Sequence, residues 1–374
     1  MFKTLYFVLL FNVIIFSQAI IYIDPQTQTS GDQDIIVNVK VLDVIELFGY
    51  SISVNFNSNI VSYVNATQGT FLQNSSFFIT APSIANPNIL KIDHVVLGGT
   101  GYSGSGLLFK VTFRPKNSGS SILNLINVEL RKTNNTGTIP YEVSNGNIIV
   151  PLCLDTKIFL EGAFNSQTSL MNTTLNSNGW LPKSQPFSAA PFDYNGTERV
   201  ADNFYINNQN IVDWILVELI NINDSSVLSR RAGFLLKNGT IVDVDGSSKI
   251  KFNLDYGTYY LKVYARGYLP VISKVPLALN KSTTLYDFSL IKYQAKGINP
   301  QKQLTTTLFG LYVGDLNNDF HITSSDFNKY LLLKFQNSSN YNYADFNFDG
   351  YVDELDYQLL YNNLMNLIGE TITF

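Results

Sequence analysis

The sequence predicts a mainly β protein that ends in a small helical module, and three observations lead there. Apolar and polar residues alternate in short runs through the first 150 positions, as in Ile35, Val37, Val39 and Val41; a period of two is that of a strand with one buried face. Glycine and serine clusters separate these runs, among them Gly98, Gly99, Gly101 and the triplet Gly104-Ser105-Gly106. Near the end, DLNNDFHITSSD (315–326) and DFNFDGYVDELD (345–356) repeat one pattern of acids 30 positions apart. Only 14% of the 374 residues are charged, against roughly a quarter in an average domain, so ordinary solvation does not account for two such stretches.

The chain opens with Lys3, the apolar run LYFVLLFNVIIF, and then Ser17, Gln18 and Ala19. A basic start, a short apolar stretch and small residues at the −3 and −1 positions read as a cleaved secretory signal over residues 1–19. A run of about 12 residues is too short to cross a bilayer as a helix, and no later run approaches that length, so the expectation is an exported chain without a membrane span. The net charge of −4 and the lack of a basic stripe exclude a nucleic-acid partner. With Cys153 as the single cysteine, no intramolecular disulfide can support the small modules.

Residues 20–150 carry the strand signals already named, together with Tyr50, Ile52, Val54 and Phe56 and then Leu107, Phe109, Val111 and Phe113. About 130 residues of short strands with turn clusters read as a β-sandwich. His94, beside Asp93, reads as a surface or turn residue. The order of segments is more specific than the class. It runs IDPQTQTSGDQDIIVNVKV, FGYSISVNFNSNIVSYVNATQGTFL, VVLGGTGYSGSGLLFKVTFRPKNSGSSILNL and SNGNIIV, and it resembles the cohesin family over most of residues 22–150.

Residues 151–307 read as a second sandwich. VDWILVELI (212–220) is a buried strand, and RRAGFLLKNGTIVDVDG (230–246) is a hairpin turning at Asn238-Gly239. FNLDYGTYYLKVYARGYLPVIS (252–273) resembles a hairpin of prealbumin-like sandwiches, which implies a spacer or docking surface. The aromatic, loop-rich stretch 160–198 is either a long loop wrapped over the sandwich or a sugar-binding surface. Glu161, Asp193, Glu198, Asp202, Asp213 and Glu218 are available for a glycosidase-type carboxylate pair. Asp213 and Glu218, however, are an odd number of positions apart and so face opposite sides of a strand. With only His94 and His321 and no Cys/His cluster, a catalytic zinc is excluded and a Ser-His-Asp triad is disfavoured. The reading is a non-enzyme; the alternative is an accessory carbohydrate-binding or glycoside hydrolase-associated protein.

The two dodecamers fit one metal. Calcium takes six to eight oxygens, and a tight loop supplies them from positions 1, 3, 5, 7, 9 and 12, with position 7 using its main-chain carbonyl. Those positions are Asp315, Asn317, Asp319, His321, Thr323 and Asp326 in the first loop and Asp345, Asn347, Asp349, Tyr351, Asp353 and Asp356 in the second. His321 and Tyr351 stand where only a backbone oxygen is required. Each loop is followed by helix-spaced apolar residues: Phe327, Tyr330 and Leu331, then Tyr357, Leu360, Tyr361 and Leu364. Before the loops stand GLYVG and SSNYNYA, too short and too rich in Gly and Ser for the entering helix of a regulatory EF-hand.

Loop-helix twice, with Asp at position 12, resembles the type I dockerin over about 309–367. The resemblance implies two bound Ca²⁺ and a cohesin-type partner met by positions 10 and 11: Ser324 and Ser325, then Glu354 and Leu355. Position 6 is Phe320 in the first loop and Gly350 in the second; a bulky residue at positive φ is strained, so the first site is expected to be the weaker. The chain thus divides into a signal (1–19), a cohesin-like sandwich (20–150), a second sandwich (151–307), a dockerin (308–367) and a tail (368–374). Read whole, it is a secreted adaptor for a cohesin- or dockerin-bearing protein in an extracellular polysaccharide-processing or cell-surface assembly, with a polysaccharide as the further candidate partner.

Overall fold

The computed structural model describes residues 18–30, 33–280, 284–336, 340–366 and 368–369. The signal reading therefore lies almost wholly outside the described residues, as does most of the tail. Two compact units divide the chain, Met1–Val150 and Pro151–Phe374.

The first unit is a sandwich of ten strands. In order these are β1 (Ala19–Asp24), β2 (Thr27–Thr29), β3 (Ile35–Asn55), β4 (Val61–Gln68), β5 (Ser75–Thr80), β6 (Ile89–Val96), β7 (Tyr102–Pro115), β8 (Gly119–Lys132), β9 (Tyr141–Ser144) and β10 (Gly146–Val150). The long β3 belongs to both layers. Its first half pairs with β1 and β7, its second half with β6 and β8. The crossing is made where register with β7 slips between Val41, Val44 and Leu47, and there Asp43 and Glu46 take φ of +53° and +59°; bulges of this kind bend a strand from one sheet to the next. The alternating residues Val37, Val39, Ile52, Val54, Val111 and Phe113 are all buried in one core.

Two sequence readings change here. Leu107 is only half-buried and Leu108 takes the core position, because a register slip against β3 falls between Phe109 and Leu107. His94 is neither a turn nor a surface residue: it lies on β6 and is 3% exposed. Tyr50 donates its hydroxyl proton to the Leu108 carbonyl and meets His94 Nδ1 at 3.1 Å, while Ser75 Oγ meets Nε2 at 2.7 Å. Burial lowers the His94 pKa to about 4, so the ring is a neutral, hydrogen-bonded part of the core.

The second unit is organised by the strand Ile211–Asn221, buried at every position but its last. The strands Val227–Leu236 and Gly257–Tyr264 flank it, and shorter strands extend the sheet on both sides. The Asn238-Gly239 turn is present, with Gly239 at φ +88° and its N–H donating to the Leu236 carbonyl at 2.8 Å. The stretch 160–198 wraps into the same core through Met171, Leu175, Leu181, Phe187 and Phe192.

The region read as a separate dockerin shares that core. Tyr330, Phe346, Phe348 and Leu360 belong to one apolar cluster with Leu160, Trp214 and Leu261. Two glycines mark how closely the segments meet. A Cβ on Gly267 would lie 2.6 Å from the Tyr343 carbonyl, and one on Gly162 would lie 2.3 Å from that of Phe346. Two helices, Ser324–Phe335 and Glu354–Met365, complete the unit. Of their apolar faces Tyr330 and Leu360 are fully buried, Leu331 is half-buried, and Tyr361 is 44% exposed. Among the described residues no helix is long and apolar enough to cross a membrane.

Candidate metal centres

Each loop is shaped by the same hydrogen bonds at the same positions. The Asp315 carboxylate accepts from the N–H groups of Asp319 and Phe320, and Asp345 accepts from those of Asp349 and Gly350. At the far end Asp326 accepts from Leu316, Asn317 and Thr323, and Asp356 accepts from Phe346, Asn347 and Asp353. The first and last acids therefore close the loop onto itself. Positions 4 and 6 are left-handed in both: Asn318 and Phe320 at φ +55° and +69°, Phe348 and Gly350 at +61° and +91°.

Positions 9 and 12 have a second task. Thr323 and Asp353 are the N-caps of the two helices, and Asp326 and Asp356 return a bond to the capping residue, so that each loop ends in a capping box. The acid that closes the loop also starts the helix. That coupling explains why the acidic register and the helical register stay locked together in both repeats.

The electrostatics suit a cation. Asp315, Asp326, Asp345 and Asp356 are all 0% exposed. Burial, with the neighbouring Asp326 charge, pushes Asp315 up to about 8, and burial raises Asp326 as well. Burial likewise pushes Asp345 up to about 7, against the pull of Arg266, and Asp356 up to about 6. A divalent ion is the counter-charge that would keep such carboxylates ionised. Among the described residues no three Asp, Glu, His or Cys side chains form a metal-holding cluster by themselves. The candidate donor set of each loop is completed by Asn, Thr or Asp at the cap, and a main-chain oxygen, and that mixture is the one calcium accepts.

The surroundings of the two loops differ. Around the second, Asn172 donates to the Asn347 carbonyl at 2.5 Å, Tyr268 donates to that of Phe346 at 2.5 Å, and Trp180 meets the Tyr351 ring at 6.2 Å. Beside the first, Lys262 Nζ rests 4.4 Å from the centre of the Phe320 ring. The helix after the second loop is pinned by Asn363, which donates to Glu161 at 2.6 Å and to the Val313 carbonyl at 2.9 Å. Arg266, Trp180, Tyr268 and Glu161 have no signal in the sequence that ties them to the loops.

Ser324, Ser325, Glu354 and Leu355 are all exposed at the helix starts. Ser325 is partly engaged, with its hydroxyl 2.8 Å from Thr323 Oγ1 and accepting from Asn317 at 3.1 Å. Five of the six acids considered for a carboxylate pair are engaged elsewhere: Glu161 with Lys302 at 2.6 Å, Asp202 with Lys183 at 2.9 Å, Asp213 with Arg266 at 2.6 Å and Glu218 with Arg230 at 2.7 Å, while Glu198 accepts from Tyr194 at 2.5 Å; Asp193 is exposed.

Fold and site define a β-sandwich unit followed in sequence by a unit that ends in twin loop-helix repeats. Residues 313–365 match the family of the dockerin type I domain. Solved cohesin modules match the N-terminal part of the chain. A non-cellulosomal cohesin from the archaeon Archaeoglobus fulgidus is 22% identical with a TM-score of 0.32, over 36% of this chain and 91% of that one. A type I cohesin–dockerin complex from Clostridium thermocellum gives 14% and 0.32, over 36% and 99%. The cohesin module of a Clostridium perfringens family 33 glycoside hydrolase gives 15% and 0.29, over 36% and 95%. No curated protein matches the chain.

Proposed function

We propose that this chain is a secreted, non-catalytic adaptor whose C-terminal repeats bind two Ca²⁺ and a cohesin-type partner, and whose N-terminal sandwich offers a second recognition module. The observation that carries the reading is the doubled loop, in which the ligand register and the capping box coincide at both positions within the stretch that matches the dockerin family. Asp315, Asn317, Asp319, Thr323 and Asp326, with the His321 carbonyl, would hold the first ion. Asp345, Asn347, Asp349, Asp353 and Asp356, with the Tyr351 carbonyl, would hold the second. The bound ions supply positive charge to buried acids and hold the loops shut. Ser324, Ser325, Glu354 and Leu355 are the partner-facing residues, beside the exposed apolar side chains of Leu332, Phe335, Tyr361 and Met365. The setting that suits such an adaptor is an extracellular polysaccharide-processing or cell-surface assembly.

The test is binding of the full chain to a panel of cohesin modules, with calcium and with chelator. Calcium-dependent capture is expected. Ser324→Glu with Ser325→Glu should weaken it more than about a hundredfold, since charge buried without a partner at an interface costs several kcal/mol, and Glu354→Ala with Leu355→Ala should weaken it less. Capture that ignores calcium, or no capture by any cohesin, refutes the adaptor reading.

A further inference from the structure

Arg266 is fully buried in the turn that follows the strand Gly257–Tyr264. Its Nε donates to Asp213 at 2.6 Å. Its Nη1 donates to the carbonyls of Asn342 and Asp345, the second at 3.2 Å. The guanidinium is 4.4 Å from the ring centre of Tyr341 and 4.2 Å from that of Phe348. Asp213 is itself held, accepting from the Tyr341 hydroxyl at 2.8 Å and the Trp214 N–H at 2.8 Å, so the cation is fixed from the side of the sheet. The remaining nitrogen, Nη2, has no hydrogen-bond partner among the described residues and lies 4.0 Å from Asp345 Oδ2. Asp345 is the first candidate ligand of the second loop.

Among the described residues the first loop is met by two lysines and by no Lys or Arg ion pair. No Lys or Arg there is ion-paired with Asp315 or Asp326; Lys262 lies over the Phe320 and Tyr264 rings and feels the charges of Glu218 and Asp315, and Lys329 Nζ donates to the Leu316 carbonyl at 2.9 Å. A buried carboxylate needs a counter-charge to keep its shape when ionised. The second loop has a fully buried one within ion-pair range; the lysines near the first are only partly buried and form no ion pair with its acids.

We propose that Arg266 is the resident counter-charge of the second loop, holding the loop's entry in its metal-binding shape when calcium is absent, so that calcium removal opens the first loop and leaves the second closed. This rests on the calcium reading above. It makes Arg266 a positioning residue, acting on the ligand Asp345 and on the carbonyls at the loop's entry rather than on the ion. The two repeats then divide their work: one reports calcium by folding and unfolding, the other is a fixed support belonging to the sheet.

Hydrogen exchange on the full chain, in calcium and in chelator, tests it. Chelation should speed exchange in 315–326 by about tenfold or more and in 345–356 by less than about twofold, as expected of a segment that opens locally beside one that does not. Arg266→Gln combined with Asp213→Asn replaces the ion pair by a neutral hydrogen-bonded pair. In that variant chelator should open both loops, and calcium should close both again. Equal loss of protection in the two wild-type loops overturns the role of Arg266 while leaving calcium binding intact, and so does a second loop that stays closed in the variant under chelator. No change in either wild-type loop overturns the calcium reading and this proposal with it. Should the double variant fail to fold, the wild-type comparison decides alone.

Discussion

The two loops share a register and a backbone, yet they sit in different physical settings. Each contains one phenylalanine in the left-handed region, Phe320 at position 6 of the first and Phe348 at position 4 of the second. The argument from position 6 for a weaker first site is therefore met by a like argument at position 4. What separates the loops is what covers them. Phe348 is buried against Arg266 and Tyr268, whereas Phe320 is half-buried, packed at the edge of the same apolar cluster with Lys262 over its ring. A like register and backbone thus meet different long-range neighbours.

Calcium removal is the largest lever on that comparison. Ligand at 100 times its Kd stabilises by about 2.7 kcal/mol per site, so two sites together contribute about 5 kcal/mol. Calorimetry in chelator should lower the transition of Pro151–Phe374 and leave that of the sandwich in place. Movement of both transitions would erase the distinction between the units.

Asp213→Ala comes next. It strips Arg266 of its buried partner and should destabilise the second unit by about 3–5 kcal/mol, read in urea unfolding, with the second loop affected before the first. Acidification gives a control in the opposite unit. His94 has its folded pKa depressed from 6.5 to about 4, so the folded sandwich resists a proton that the unfolded chain accepts. Its contribution is whole above about pH 6.5 and is lost as pH falls towards 4, to a limit of about 3 kcal/mol. His94→Gln should flatten that dependence, and a sandwich transition with the same acid slope in the variant would remove His94 as its source.

Two smaller substitutions sharpen the contrast between the loops. A Cβ on Gly350 would fall 2.1 Å from Trp180 Cζ3 at a φ of +91°, so Gly350→Ala should cost about 1–3 kcal/mol and weaken the second site in a calcium titration while sparing the first. Phe320→Gly relieves about 1 kcal/mol of backbone strain and gives up a cation–π contact of similar size, so first-site affinity should stay within about threefold. A tenfold gain there would show that position 6 governs the site after all.

Much of the local structure was legible in the sequence. The alternation of Val37, Val39, Ile52 and Val54 placed them in the sandwich core, and the spacing of Asp315 through Asp326 and of Asp345 through Asp356 marked two loops that the structure closes by the same bonds. Such features are local, because the residues that interact lie within one turn or one strand of each other. His94 was misplaced because a lone polar residue in a strand reads as exposed until its partners, Tyr50 and Ser75, arrive from other strands. The sequence by itself determined the strands of the first sandwich, the ligand register, the helices after the loops and the resemblance to the two recognition families. Only the tertiary structure decided that residues 151–307 and 308–367 share a core and that Arg266, 79 positions from Asp345, reaches the entry of the second loop. Burial and long-range electrostatics depend on which segments pack together, and no spacing within either segment encodes that choice.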